Sequence, residues 1–204
     1  MYKNLGVTIN TIISTQNISE ERKTALQPLI DFVQQKTYDK QEININFICT
    51  HNSRRSHFSQ IWAQVAAVYF SIPNVHCYSG GTEETTLFHK VVETLSSQGF
   101  NIFKIADTDN PIYVIKYSDN SLPIIGFSKK HDSPFNPASS FAAIMTCSQA
   151  DGGCPFIAGA EKRIPITFED PKISDNTPKQ SQVYAERSLQ IANEMFYAFS
   201  KIKQ

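Results

Sequence analysis

The stretch that most constrains the fold runs from Glu42 to Phe70, where the hydrophobic period changes from two to 3.6 across a short polar loop. Ile43, Ile45, Phe47 and Cys49 alternate with Asn44 and Asn46, as a strand requires. The run Thr50-His51-Asn52-Ser53-Arg54-Arg55-Ser56 follows. Phe58, Ile61, Trp62, Val65, Ala66 and Tyr69 then recur at helical spacing, with Ser53 or Ser56 expected to cap the helix. A strand that passes through a tight loop into an amphipathic helix has to fold the helix back onto a sheet, which makes this an α/β unit.

The alternation continues along the chain. A strand is expected over Val75 to Ser79, then a helix over Thr85 to Ser97. Ile102 to Ile105 and Ile112 to Tyr117, separated by the turn-forming DTDNP, read as a local hairpin or an edge strand. Phe141 to Thr146 and Ile164 to Phe168 are buried-strand runs. Gln182 to Lys201 closes the chain as a helix with Leu189, Ile191, Ala192, Met195, Phe196 and Phe199 inward. Ahead of all this, Ser19 caps a helical segment marked by Leu26, Leu29, Ile30 and Val33. The expectation is an N-terminal helical extension over 1–40 and one domain over 41–204, with a single open, mostly parallel sheet in a three-layer α/β/α arrangement. Ligands of such sheets bind beyond the carboxyl ends of the strands, where Cys49, Cys147 and Asp170 fall.

Composition narrows the function. Nineteen basic residues balance nineteen acidic ones, so no broad field would hold nucleic acid or anionic lipid, and any anion site must be local. The sequence has no signal-peptide pattern and no apolar run long enough to span a membrane, so a cytoplasmic protein is expected. Four cysteines are too few for a disulfide scaffold of this length and read as reduced thiols.

The loop carries the chemistry. Cys49 to Ser56 is C-x5-R-S between a strand and a helix. Successive amides of such a loop can curl around a tetrahedral oxyanion, the helix start adds positive potential, and Arg55 supplies a two-donor fork. Thr50, His51, Asn52, Ser53, Arg54 and Arg55 are therefore the oxyanion-binding candidates. The same donors favour a thiolate at Cys49, the candidate nucleophile, and the Ser56 hydroxyl can donate to that sulfur. Asp170-Pro171 follows the last strand.

This combination resembles the low-molecular-weight tyrosine phosphatase group, in which an aspartate before proline serves as general acid. The segment MTCSQADGGCP, with Cys147 and Cys154, further resembles thioredoxin-coupled arsenate reductases, which share that fold. The resemblance covers about Ile43 to Ser200. It implies arsenate reduction: Cys49 attacks arsenic, Cys147 attacks Cys49 and expels arsenite, and Cys154 draws the disulfide outward to thioredoxin. No cofactor is implied. Ser79 and Gln60 correspond to positions near a cation in some reductases, but glutamine replaces the carboxylate, so no metal is expected. The chain departs from the pattern in having His51 where glycine is usual and Arg54 where cysteine is common, and in a longer stretch from Ile112 to Ser140.

A phosphomonoesterase using Cys49, Arg55 and Asp170 is the alternative, although Lys172-Ile173 provides no aromatic wall for a phenol ring. A non-catalytic oxyanion or redox sensor is the third reading. Cys77 is expected to be a buried, inert thiol, and Lys129-Lys130-His131-Asp132 a solvated loop.

Overall fold

The strand-loop-helix unit read from the sequence forms the centre of the molecule. The computed structural model describes residues 1–154 and 156–204; Pro155, which follows the second redox cysteine in the resemblance, lies outside the described residues. Strand β1 (Ile43–Cys49) is flanked in parallel by β2 (Val75–Gly81) on one side and β6 (Phe141–Met145) on the other, with β7 (Ala160–Pro165) outermost, also parallel. Ile48 of β1 pairs with both Gly80 and Met145, which brings the ends of three strands level where the loop begins.

Helix α3 (Arg55–Tyr69) packs back on β1 and β2, as a right-handed crossover requires. Helix α6 (Gln180–Ser200) lies along α3, and between them Trp62 donates to Ser188 Oγ at 2.9 Å and packs edge-on against Phe100 and Phe196. Helices α1 (Lys3–Ser14), α2 (Glu20–Tyr38) and α4 (His89–Ser97) complete that layer against α6. Leu5, Ile9, Leu26 and Leu29 are fully buried in the same core as Ile45 and Trp62, so residues 1–40 contribute to one continuous hydrophobic cluster. Ser19 caps α2, accepting the Arg22 amide.

The opposite face holds a smaller buried cluster of Ile48, Cys49, Ala143, Met145, Cys147 and Ile157 beneath the six-residue helix α5 (Ser148–Gly153). The architecture is thus three-layer α/β/α around a parallel sheet. No helix among the described residues is long and apolar enough to cross a membrane.

Several expectations are corrected. The hairpin exists, but β3 (Asn101–Ala106) and β4 (Ile112–Lys116) join β5 (Ile124–Gly126) in a second, antiparallel sheet. Neither Ser53 nor Ser56 caps α3: Arg54 holds the cap position without a side-chain bond, and Ser56, inside the helix, turns its hydroxyl to Asn52 and Cys49. Thr85 to Phe88 is irregular rather than helical, its groups being spent on the loop and on Ser128. The last strand starts at Ala160 instead of Ile164. Leu189 is 38% exposed, because the apolar stripe of α6 passes through Ser188 and Ala192 instead. Lys129, expected in a solvated loop, is 2% exposed.

Candidate active site

The loop between β1 and α3 is held from outside by its carbonyl groups. Cys49 O accepts from the Thr82 amide, Thr50 O from the Glu83 amide and Thr82 Oγ1, and His51 O from Thr85 Oγ1 and Ser128 Oγ. Asn52 O accepts from His57 Nε2 at 2.9 Å, and Ser53 O from the Phe88 amide. Five consecutive carbonyls thus face outward. Among the bonds of the described residues, no amide from Thr50 to Ser56 is a donor. A run of unspent N–H groups at a helix start is an anion cradle.

Asn52 makes the tight turn possible. Its φ of 43° is left-handed, a conformation asparagine tolerates better than most side chains. Its Oδ1 accepts from the Lys129 amide at 2.9 Å while Nδ2 donates to Ser56 Oγ at 2.8 Å. Gly81 lets the neighbouring strand approach: a Cβ there would stand 2.7 Å from Thr50 O and 2.8 Å from Asn52 N.

Cys49 is buried at the base of the loop, with Sγ 3.2 Å from Ser56 Oγ. Because Nδ2 of Asn52 can only donate, Ser56 Oγ accepts from it, and the serine hydrogen remains to point at the sulfur. The hydroxyl is therefore oriented toward Cys49 by Asn52.

His57 lies beneath the loop. Its Nε2 faces a carbonyl and so carries hydrogen, which leaves Nδ1 to accept from Ser79 Oγ at 3.3 Å. Burial, helped by the nearby Lys129 charge, lowers its pKa to about 3, so the ring is a neutral strut at physiological pH. Lys129 is itself unusual. Its ammonium lies 4.5 Å from the centre of the Phe127 ring and 5.3 Å from that of Phe135, and burial lowers its pKa to about 7. Ser79, which the resemblance associated with a cation, is committed to His57, and Gln60 donates to Cys77 O. Cys77 is buried in the core, which pushes its thiol pKa up.

The two loop arginines diverge. Arg55, 8% exposed, donates Nη1 to Phe168 O at 3.0 Å and Nη2 to Asp170 Oδ2 at 2.5 Å. The other oxygen of Asp170 accepts the Lys172 amide, capping the short 3-10 turn Pro171–Ser174. Candidate clamp and candidate acid thus stand in direct contact. The Arg54 side chain turns away from the cradle: Nη2 meets Asp175 Oδ2 at 2.6 Å, Nε meets Tyr184 Oη at 2.5 Å, and the guanidinium stacks 4.2 Å from the Phe88 ring centre. Burial opposes ionisation of Asp175, but bonds from Tyr184 and Gln180 and the Arg54 charge hold its pKa below the usual value. Burial and the bond to Asp175 push the Tyr184 phenol up. Arg54 therefore ties the loop to the segment carrying Asp170.

Cys147 lies directly beyond β6. The Thr146 amide and hydroxyl both donate to Ile48 O, and Cys147 Sγ is 3.5 Å from Thr50 Oγ1. At ordinary strand spacing its Cα is about 6 Å from that of Cys49, within the span of a disulfide. Cys147 also caps α5, accepting the Ala150 amide at 3.3 Å, and Cys154 ends that helix partly exposed. A cleft of about 830 Å³ opens above, lined by His51, Arg55, Gln149, Phe168, Asp170 and Ile173. His51 is at its rim, facing Glu83 at 3.5 Å.

Cys49, the loop backbone, Arg55, Ser56, Cys147 and Asp170 thus gather at one end of the sheet, whereas the Arg54 side chain leaves the cradle and Cys154 stands at the far end of α5. Missed were His57, Ser128 and Lys129, which hold the loop from below and beside, because each acts through a contact that no local sequence pattern marks.

No family model and no curated protein matches the sequence. Solved structures match in fold. A low-molecular-weight phosphotyrosine phosphatase from Vibrio cholerae O395 is similar at a TM-score of 0.53 and 13% identity, over 78% of this chain and 94% of its own. A low-molecular-weight protein tyrosine phosphatase from T. tengcongensis gives 0.51 and 15%, over 79% and 100%. A thioredoxin-dependent arsenate reductase from Corynebacterium glutamicum aligns over 97% of this chain and 85% of its own at 17% identity, with a TM-score of 0.44. The chain has the low-molecular-weight phosphotyrosine phosphatase fold.

Proposed function

We propose that the protein reduces arsenate to arsenite through a cysteine relay. The single observation that carries this reading is the position of Cys147, whose sulfur lies 3.5 Å from Thr50 Oγ1 beside the candidate nucleophile. Ester hydrolysis has no use for a second thiol there.

Arsenate enters the amide cradle and takes up the Arg55 fork. The Cys49 thiolate attacks arsenic, and an arsenate oxygen leaves as water with a proton from Asp170. The Cys147 thiolate next attacks Cys49 Sγ. The S–S bond forms as the S–As bond breaks, its electron pair stays on arsenic, and arsenite departs; two thiols have been oxidised and As(V) reduced to As(III). Cys154 then attacks Cys147 and Cys49 leaves as thiolate, which puts the disulfide where a dithiol protein such as thioredoxin reduces it. Such thiols suit a reducing, cytoplasmic compartment.

The first half serves a phosphomonoester equally well, with water completing the cycle. The breadth of the cleft, far more than a bare oxyanion fills, favours that second reading. Its wall of Lys172 and Ile173 suits a substrate other than an aryl phosphate.

The test compares arsenate turnover with thioredoxin and its reductase against hydrolysis of para-nitrophenyl phosphate. Cys147→Ser and Cys154→Ser should both end multiple arsenate turnovers and leave ester hydrolysis largely intact. The Cys154 variant should still release one equivalent of arsenite and accumulate a Cys49–Cys147 bridge. Repeated arsenate turnover by both variants removes the relay; ester hydrolysis by wild-type protein that never reduces arsenate leaves the phosphomonoesterase.

A further inference from the structure

Cys147 and Cys154 occupy the two ends of α5, seven residues apart, which in a helix separates their Cα atoms by about 10 Å. A disulfide needs about 7 Å or less. The two cannot bridge while α5 is wound. The helix itself is weakly built: it has six residues and ends in Gly152-Gly153, the poorest helix formers after proline.

Thr50 meets the first turn of α5 at Cys147 and Gln149, and a second side chain from outside holds its far end. Arg163, on β7 opposite Ala143 of β6, donates Nε to Cys154 O at 2.9 Å and Nη2 to Asp151 Oδ1 at 2.5 Å, and Nη2 also meets Asp151 O. The carbonyls at the end of a helix have no partner within it. A planar guanidinium anchored on a strand serves two carbonyls and the carboxylate together.

We propose that Arg163 is the latch of α5, a positioning residue whose fork keeps Cys154 away from Cys147 until the helix unwinds. As a step in arsenate reduction this rests on the relay proposed above; as a property of the helix it does not. With the latch closed, Cys147 is free to attack Cys49 first, and the exchange with Cys154 waits for release of Arg163. Cys154 can attack only once Cys147 is part of a disulfide, so thiol chemistry sets the order of the two transfers and the latch sets when the second one occurs.

The test reads the helix without arsenate. In a Cys49→Ser background, diamide takes two electrons and two protons from Cys147 and Cys154 as they bridge, and mass mapping follows the rate. Arg163→Gln should close the bridge about tenfold faster or more, since hydrogen bonds to a charged donor are lost. Cys154 should be alkylated faster to a similar degree. The thermal midpoint of the variant, and its para-nitrophenyl phosphate hydrolysis with Cys49 intact, should match the parent. Arg163→Lys, which keeps the charge without the fork, should fall between the two. A closing rate within twofold of the parent overturns the latch, and so does faster closing accompanied by a fall in global stability. A lysine variant as slow as the parent also overturns it, because charge alone would then suffice. If wild-type protein never reduces arsenate but Arg163→Gln still closes faster, the relay falls and the latch stands. Arsenate turnover with an insensitive closing rate does the reverse.

Discussion

Asn52 can be separated into its two contributions by a pair of substitutions. Asn52→Ala and Asn52→Gly both remove the bonds to the Lys129 amide and to Ser56 Oγ, 2.9 and 2.8 Å long. Leaving a buried amide without a partner costs about 1–3 kcal/mol. The alanine variant must also hold φ at 43°, where an ordinary side chain costs about 1–2 kcal/mol. Glycine avoids that strain but gains freedom in the unfolded chain, which returns about 0.5–1 kcal/mol of the difference. Chemical denaturation should therefore find both variants destabilised, with alanine the worse by up to about 1.5 kcal/mol. Activity should behave differently. Both lose the donor that orients the Ser56 hydroxyl toward Cys49, so hydrolysis of para-nitrophenyl phosphate should fall by similar factors in the two, by about tenfold or more. Glycine restoring full activity would refute the orienting role; equal stability of alanine and wild type would refute the buttress.

Cys49→Ser should abolish both arsenate reduction and ester hydrolysis, measured side by side, because a hydroxyl lacks a stable anionic form near neutrality. Asp170→Asn should slow reaction of a poor leaving group by about 10²–10⁴-fold and an activated aryl phosphate much less; equal losses in a leaving-group series would mean that Asp170 positions rather than protonates. His57 has a pKa of about 3 in the folded chain against 6.5 ordinarily, so the unfolded chain binds the extra proton between those values. Stability should fall as pH drops through that window, at up to about 1.4 kcal/mol per unit, and urea melts of His57→Gln should lose that slope. Lys129, at about 7 against 10.5, makes stability rise from pH 7 to 10.5; Lys129→Met should flatten that rise and melt higher than wild type at pH 7.

The strand, loop and helix from Ile43 to Tyr69 were legible because a change of hydrophobic period is a local signal. Cys49 and Arg55 stand out by their spacing across a strand-loop-helix unit, whereas Asp170 was marked only by the family resemblance, and the fold places all three together. What escaped depends on contacts between residues far apart in the chain. Lys129 reads as solvated from its charged neighbours and is buried because Phe127 and Phe135 enclose it and its amide serves Asn52. The second sheet escaped because its strands are too short for their pairing to be specified by pattern. Ser56 satisfies the sequence rule for a cap and breaks it in the fold, since its hydroxyl is held between Asn52 and Cys49.

The ion pair between Arg55 and Asp170 joins the two halves of the chemistry. Asp170 Oδ2 stands 2.5 Å from Arg55 Nη2, so the fork that would clamp an oxyanion is bonded to the residue proposed as the acid. An oxyanion seated in the cradle competes for the same Nη2 donor. As it takes the fork, Asp170 gives up its bond to Nη2 and is left beside the incoming oxygen. Binding and the release of Asp170 from Arg55 would then be one event. The carboxyl would be freed where the bond to the leaving oxygen breaks, and Arg54, held by Asp175 and Tyr184, would keep the segment carrying it in register with the loop.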